Sequence, residues 1–171
     1  MSKVLLIAYT TKTGTTEEIS YEIASVFSEK GIEADVLSVS EIKNLDEYFA
    51  VIVGSPVNGM RILPEAIKFV KDNQESLKKI PTAYFNVSYM IDLGREFFRK
   101  KISSSINSLS KIVEPVKTGL FGGKVDTELP AFARVIFGVK KSAPIDVRDF
   151  EKVRKWAEEL YVIIKNKSEG I

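Results

Sequence analysis

A short, unbroken apolar run followed at once by a threonine-rich loop and an amphipathic helix constrains this chain more than any other feature. Lys3-Val-Leu-Leu-Ile-Ala-Tyr9 is apolar after its first residue. It is too short to span a membrane and does not alternate, so it reads as a strand buried on both faces, the signature of a central parallel strand. Thr10-Thr-Lys-Thr-Gly-Thr-Thr16 follows, and Ile19, Ile23, Val26 and Phe27 then recur at three- and four-residue steps along one helical face. Thr15 with Glu18 three residues on predicts a capping box and a helix start near Thr15 or Thr16. A strand that delivers a small hydroxylated turn to a helix N-terminus builds an anion site, because unpaired N–H groups and the positive dipole end converge there. Each charge-assisted hydrogen bond to a phosphate contributes roughly 1.5–3 kcal/mol, so several together hold a monophosphate without an arginine.

The competing phosphate motifs are missing. Neither G-x-x-x-x-G-K-[ST] nor G-x-G-x-x-G occurs, which leaves a phosphomonoester binder. Tyr9-Thr-Thr-Lys-Thr-Gly-Thr-Thr16 after a strand resembles the phosphate loop of the flavodoxins, whose fold binds flavin mononucleotide (FMN). The resemblance implies that Thr11, Lys12, Thr13, Thr15 and Thr16 surround the flavin phosphate and that Gly14 permits the tight turn. The plain alternative is a threonine-rich turn that holds nothing.

Composition narrows the chemistry further. The 171 residues fit one domain, 44% of them hydrophobic. With no cysteine and no histidine, the chain lacks disulfides, thiolate metal sites, the commonest zinc ligands and the commonest general base. No catalytic side chain and no metal site is expected; a bound cofactor is the simpler source of chemistry. A net charge of +2 gives no footprint for nucleic acid. Without a signal-like N-terminus or a spanning apolar run, the expected location is cytoplasmic.

Further along, Lys30-Gly31 reads as a helix C-cap and Glu33 to Val39 as an alternating edge strand. Phe49-Ala-Val-Ile-Val-Gly54 is a second central strand, expected to end in the loop Ser55-Pro-Val-Asn-Gly-Met-Arg-Ile-Leu63 with a turn at Asn58-Gly59. Pro64 predicts the first turn of a helix running to Lys79. Pro81 to Ser88 gives the fourth strand, and Phe98, Ile102, Ile106 and Leu109 a helix. Ile112 to Gly123 reads as the last strand, and Phe150, Val153, Ala157, Leu160, Tyr161 and Ile164 as one face of the last helix, with Trp156 packing beside it. Strand and helix alternating in this way predict an α/β fold, a doubly wound parallel sheet with helices on both faces. The flavodoxin resemblance implies five strands in the order 2-1-3-4-5.

Loops at the carboxyl ends of such strands form the binding crevice. By the resemblance, Ser55, Pro56, Val57, Asn58 and Gly59 lie against the isoalloxazine ring, with the backbone near Asn58-Gly59 approaching its redox-active nitrogen; the plain alternative is an ordinary hairpin-like turn chosen for geometry. Ser88 and Tyr89 form the third wall, Tyr89 either stacking on the ring or serving as plain rim.

Lys124 to Val147 is about two dozen residues long, more than this connection needs. The expectation is a single domain over 1–171 with an inserted loop or helix at about 124–147. Its apolar stretch Leu129 to Gly138, followed by Lys140-Lys141, has several open uses: lining the crevice, a homodimer contact, a seat on a membrane surface over 129–141, or packing under the sheet edge. This loop, Gly54-Ser-Pro, Asp149-Phe and Trp156 together are similar to the menaquinone-dependent protoporphyrinogen oxidase family, in which FMN takes electrons from a porphyrinogen and passes them to a quinone. That family's loop is rich in aromatic and basic residues, whereas 124–147 has only Phe132 and Phe137 as aromatics and carries Asp126 and Glu128.

The function expected is an FMN-dependent oxidoreductase taking a small-molecule substrate. Lys12, Arg61, Tyr89, Asp92 and Arg134 are candidate substrate contacts, none of them catalytic. The alternative is a flavodoxin-type electron carrier that docks a redox partner protein. Carriers of that type are typically acidic, and this chain is slightly basic. A third reading, an interaction module without flavin, conflicts with the intact threonine loop.

Overall fold

The computed structural model describes residues 4–58, 61–89, 96–125, 131–132, 135 and 145–169. Strand β1 (Val4–Tyr9) is the apolar run, and it lies between β2 (Ala34–Ser38) and β3 (Tyr48–Asn58). β3 pairs on its other side with β5 (Thr82–Val87), which pairs with β6 (Lys117–Phe121). All four pairings are parallel. The order β2-β1-β3-β5-β6 is the doubly wound arrangement expected, with a two-residue strand β4 (Arg61–Ile62) added antiparallel to the end of β3.

Alternate residues of the central strands feed two cores. Leu5, Ile7, Ile52 and Phe85 pack under α1 (Thr15–Glu29) and the C-terminal helix α5 (Phe150–Glu169). This layer is aromatic: Trp156 meets Phe85 and Phe121 edge-on, and its Nε1 donates to the Thr118 carbonyl at 2.8 Å. Leu6, Ala8, Val51, Val53 and Tyr84 face the other way, under α2 (Pro64–Asp72), α3 (Gln74–Leu77) and α4 (Glu96–Ser110). Helices therefore cover both faces, as a sheet with two apolar sides requires.

Four local expectations are corrected. Helix α1 has no capping box: Gly14, at φ 86°, is its N-cap, and no side chain caps it. Glu18 is drawn instead to Arg148. β3 does not stop at Gly54 but runs on through Pro56 to Asn58, because Val57 and Asn58 find partners in Ile62 and Arg61. The helix from Pro64 breaks at Asn73, whose Nδ2 donates to the Phe69 carbonyl at 2.9 Å and closes α2 before α3 begins. The last strand begins at Lys117, not Ile112. Residues before it turn out of α4, held where the Tyr84 hydroxyl donates to the Val113 carbonyl at 3.0 Å.

The long connection after β6 is pinned at its base. Lys124–Val125 (β7) and Ile145–Asp146 (β8) pair antiparallel, and the Val147 N–H donates to the Gly123 carbonyl at 3.1 Å. Most of the apolar stretch 129–138 lies outside the described residues, as do Lys140 and Lys141. Of those described, Phe132 and Val135 are exposed, at 69% and 72%.

Candidate functional site: a hydroxyl cleft at the helix N-terminus

β1 ends at Tyr9 and the Thr10 N–H still bonds the Gly54 carbonyl, so the loop leaves the sheet at a fixed point beside β3. The loop then turns back on itself: the Gly14 N–H donates to Thr11 Oγ1 at 2.9 Å. Gly14 takes the left-handed conformation that costs a side-chain-bearing residue about 1–2 kcal/mol, which is why glycine stands here. The first backbone bond of α1 runs from Glu18 N–H to the Gly14 carbonyl. The N–H groups of Thr15, Thr16 and Glu17 precede it and are the donors a helix leaves unmatched. Thr13 and Thr15 hold their hydroxyl oxygens 3.5 Å apart at this end.

Two carboxylates in the first turn would repel an anion, and both are taken elsewhere. The Tyr9 hydroxyl donates to Glu17 Oε1 at 2.9 Å. Burial, and then this bond, push the Tyr9 phenol up to about 12, so it remains a donor. Glu18 pairs with Arg148, which also forks onto Asp146 with Nε to Oδ1 at 2.9 Å and Nη2 to Oδ2 at 2.6 Å. That guanidinium holds the Asp146 carboxyl down at about 2. The dipole end is thus left to hydroxyls and backbone.

A cleft of about 140 Å3 opens over this N-terminus. Thr11, Lys12, Thr13, Thr15 and Thr16 line one side, Thr15 and Thr16 nearly buried and Lys12 and Thr13 exposed. Pro56, Val57 and Asn58 line a second side, and Ser88 and Tyr89 a third. Tyr89 is half-buried and also packs against the pair Val57 and Ile102; burial raises its phenol above the usual tyrosine value.

Of the remaining expected residues, Gly14 acts from behind as the helix N-cap, and Gly59 lies outside the described residues, as do Asp92 and Arg134. Ser55 is not in the lining. It is fully buried, its Oγ donating to the Pro56 carbonyl at 3.1 Å and accepting from the Leu63 N–H at 3.3 Å, so it braces the β3–β4 hairpin. Arg61 lies across the hairpin, paired with Asn58 but outside this cleft.

Three lining residues were not anticipated: Val87, Gly123 and Lys124. The signal for two of them was Gly122-Gly123. A Cβ on Gly122 would come 1.7 Å from the Val147 carbonyl oxygen, and one on Gly123 would sit 3.1 Å from Val87 Cγ1 and 3.3 Å from the Tyr89 N. The paired glycines let the insertion's return leg, the β5 exit and the cleft wall share one place. Among the described residues no group of His, Cys, Asp and Glu could hold a metal ion, and no helix is long and apolar enough to cross a membrane.

Protoporphyrinogen IX dehydrogenase (quinone) of Escherichia coli (strain K12) is 32% identical over 85 residues, 48% of this chain and 47% of that protein. The match thus spans about half the length of the curated relative. A flavodoxin from Streptococcus pneumonia TIGR4 superposes with a TM-score of 0.61 at 17% identity, covering 93% of this chain and 98% of that one. The Fusobacterium nucleatum flavodoxin bound to flavin mononucleotide gives 0.60 at 15% identity, over 95% and 99% of the two chains. These two similarities bear on the fold. The Flavodoxin domain model matches residues 6–153, from the middle of β1 into α5, and on that match the chain belongs to the flavodoxin-domain family.

Proposed function

We propose that this protein is an FMN-dependent oxidoreductase. The observation that carries the reading is the open N-terminus of α1, capped by a left-handed Gly14, ringed by threonines, and relieved of its own carboxylates by Tyr9 and Arg148. A monophosphate fits that donor set: Thr11, Thr13, Thr15 and Thr16 offer hydroxyls, the first turn offers N–H groups, and Lys12 stands at the rim. Pro56, Val57 and Asn58, continued by Gly59, and Ser88 with Tyr89 are the residues to flank the ring, with Ser55 bracing the first of these walls. Bound FMN would supply the redox chemistry that a chain without histidine or cysteine lacks. The protein's own part is to hold, orient and shield it.

For the electron donor we take a reduced organic compound of the porphyrinogen type, and for the acceptor a quinone; the name of the E. coli relative supports both. A lipid-soluble quinone is met at a membrane surface, and the exposed Phe132 and Val135 within 129–141 suit a peripheral contact of a cytoplasmic protein, with a homodimer contact as the competing use. One observation favours a second reading, a flavodoxin-type carrier serving a redox partner protein: among the described residues, the cleft of about 140 Å3 has no chamber for a substrate beside the cofactor.

The visible spectrum of the purified protein, before and after adding FMN and removing the excess, tests the cofactor. A retained band near roughly 450 nm is expected of a bound flavin. Its absence under both conditions overturns the proposal. Turnover of a porphyrinogen with a quinone then separates enzyme from carrier.

A further inference from the structure

A second and larger space lies on the other side of the β3–β4 hairpin. This cleft, between α2 and α4, measures about 670 Å3 and is floored by Ile62, Pro64 and Ile67. That volume is in the range that takes a drug-sized organic molecule. Arg61, Lys68 and Lys71 stand along it. Lys68 is paired with Asp72 one turn on, whereas Arg61 and Lys71 are exposed and form no ion pair among the described residues. On the α4 wall, Ser105 Oγ already donates to the Ile102 carbonyl at 2.7 Å. Ser108 Oγ is sealed from solvent and has no hydrogen-bond partner among the described residues.

An apolar floor flanked by two unpaired cations, with the Asp72 carboxylate on the same lining held by Lys68, suits an apolar body that carries negative charge. The body must be apolar and flat enough to lie on Ile62, Pro64 and Ile67, and it must carry separated carboxylates. Arg61 provides the fork that a carboxylate matches, and Lys71, near the C-terminal end of α2, a point charge. The position adds meaning: Arg61 pairs with Asn58 across the hairpin, and Asn58 lines the phosphate cleft. One two-stranded wall separates the spaces.

We propose that the α2–α4 cleft is a binding site for an amphipathic organic dianion, its apolar ring system on Ile62, Pro64 and Ile67 and its carboxylates on Arg61 and Lys71. The choice of ligand class rests on the function proposed above; as a binding site the cleft stands without it.

The test is a fluorescence titration of the full chain with protoporphyrin IX, a flat dicarboxylate, and with its uncharged dimethyl ester. The diacid is expected to bind at least about tenfold more tightly than the ester. Arg61→Ala with Lys71→Ala should remove that advantage while leaving FMN retention unchanged, both side chains being exposed. Equal binding of diacid and ester, undiminished diacid binding in the double variant, or no binding to the wild type overturns the proposal. FMN is read separately: its loss with diacid binding intact overturns the cofactor reading alone, and the converse overturns only this site.

Discussion

On one side of the β3–β4 hairpin, a cleft of about 140 Å3 is walled by threonine hydroxyls and the N-terminus of α1; on the other, a cleft of about 670 Å3 is floored by apolar side chains and edged by Arg61 and Lys71. The first is built largely from backbone. Its donors are where they are because β1 ends at Tyr9, Gly14 turns left-handed and α1 begins, so the site comes with the fold. The second is built from side chains on a common scaffold, and substitution can redraw it without moving an element. Charge is also delivered differently: a helix dipole and short hydroxyls act at contact, whereas cations on long exposed stems are screened by salt over a Debye length of about 8 Å.

The two clefts differ most sharply in their dependence on the threonines. Replacing Thr13 and Thr16 with valine removes two of the proposed phosphate partners, at roughly 1.5–3 kcal/mol each, and should raise the FMN dissociation constant about a hundredfold or more. Protoporphyrin titration of the same variant should be unchanged. Unaltered FMN affinity would refute the site assignment.

Gly14→Ala comes next. No atom lies within 4 Å of the added Cβ, so any effect is conformational: about 1–2 kcal/mol for a left-handed alanine, read as a lower melting temperature and about tenfold weaker FMN. Gly14→Asn should lose less, since asparagine tolerates that region. Ser55→Ala should cost about 1 kcal/mol by depriving the Leu63 N–H of its acceptor. Because Ser55 braces the wall both clefts share, it is the one substitution expected to weaken both ligands; an effect on FMN alone would show the clefts to be uncoupled.

The smallest effect concerns pH. The Asp146 carboxyl ionises at about 2 in the folded protein, against 3.8 ordinarily, chiefly because Arg148 hydrogen-bonds it. Its contribution to stability is therefore complete above the ordinary value and is lost as pH falls from there through the folded one. Asp146→Asn should melt slightly earlier at neutral pH, and the gap from wild type should close near pH 2, followed by circular dichroism. A gap that persists there would assign the contribution to shape, not charge.

Much of the first site was legible because its determinants are local. An unbroken apolar run, a glycine among threonines and a helical stripe lie within 25 residues, and the helix starts at Thr15 as read. What escaped depends on distant partners. The Thr15 and Glu18 spacing suggested a capping box, but Glu18 is claimed by Arg148, which lies 130 residues away. Pro56 suggested the end of a strand, yet β3 continues through it because β4 folds back to pair. The helix break at Asn73 follows from one side-chain amide reaching the Phe69 carbonyl, with no proline or glycine to announce it. Gly122-Gly123 was in plain view, but its meaning needed Val147 to arrive from across the insertion. The α2–α4 cleft was illegible altogether, since Arg61, Lys71 and Ser108 are brought together only by helix packing.

The antiparallel pair β7–β8 bears on how this chain can change length. Val125 and Ile145 stand opposite each other, so everything between them departs from and returns to a single point on the domain. Closing a connection there costs only about 0.6 kcal/mol more for each doubling of its length. The segment is thus free to be extended, shortened or exchanged with little strain on the sheet. Its two ends remain moored beside Gly123 and, through Arg148, to the very helix whose first turn faces the threonine cleft. A lineage could rewrite the insertion many times and still deliver it to the same doorway.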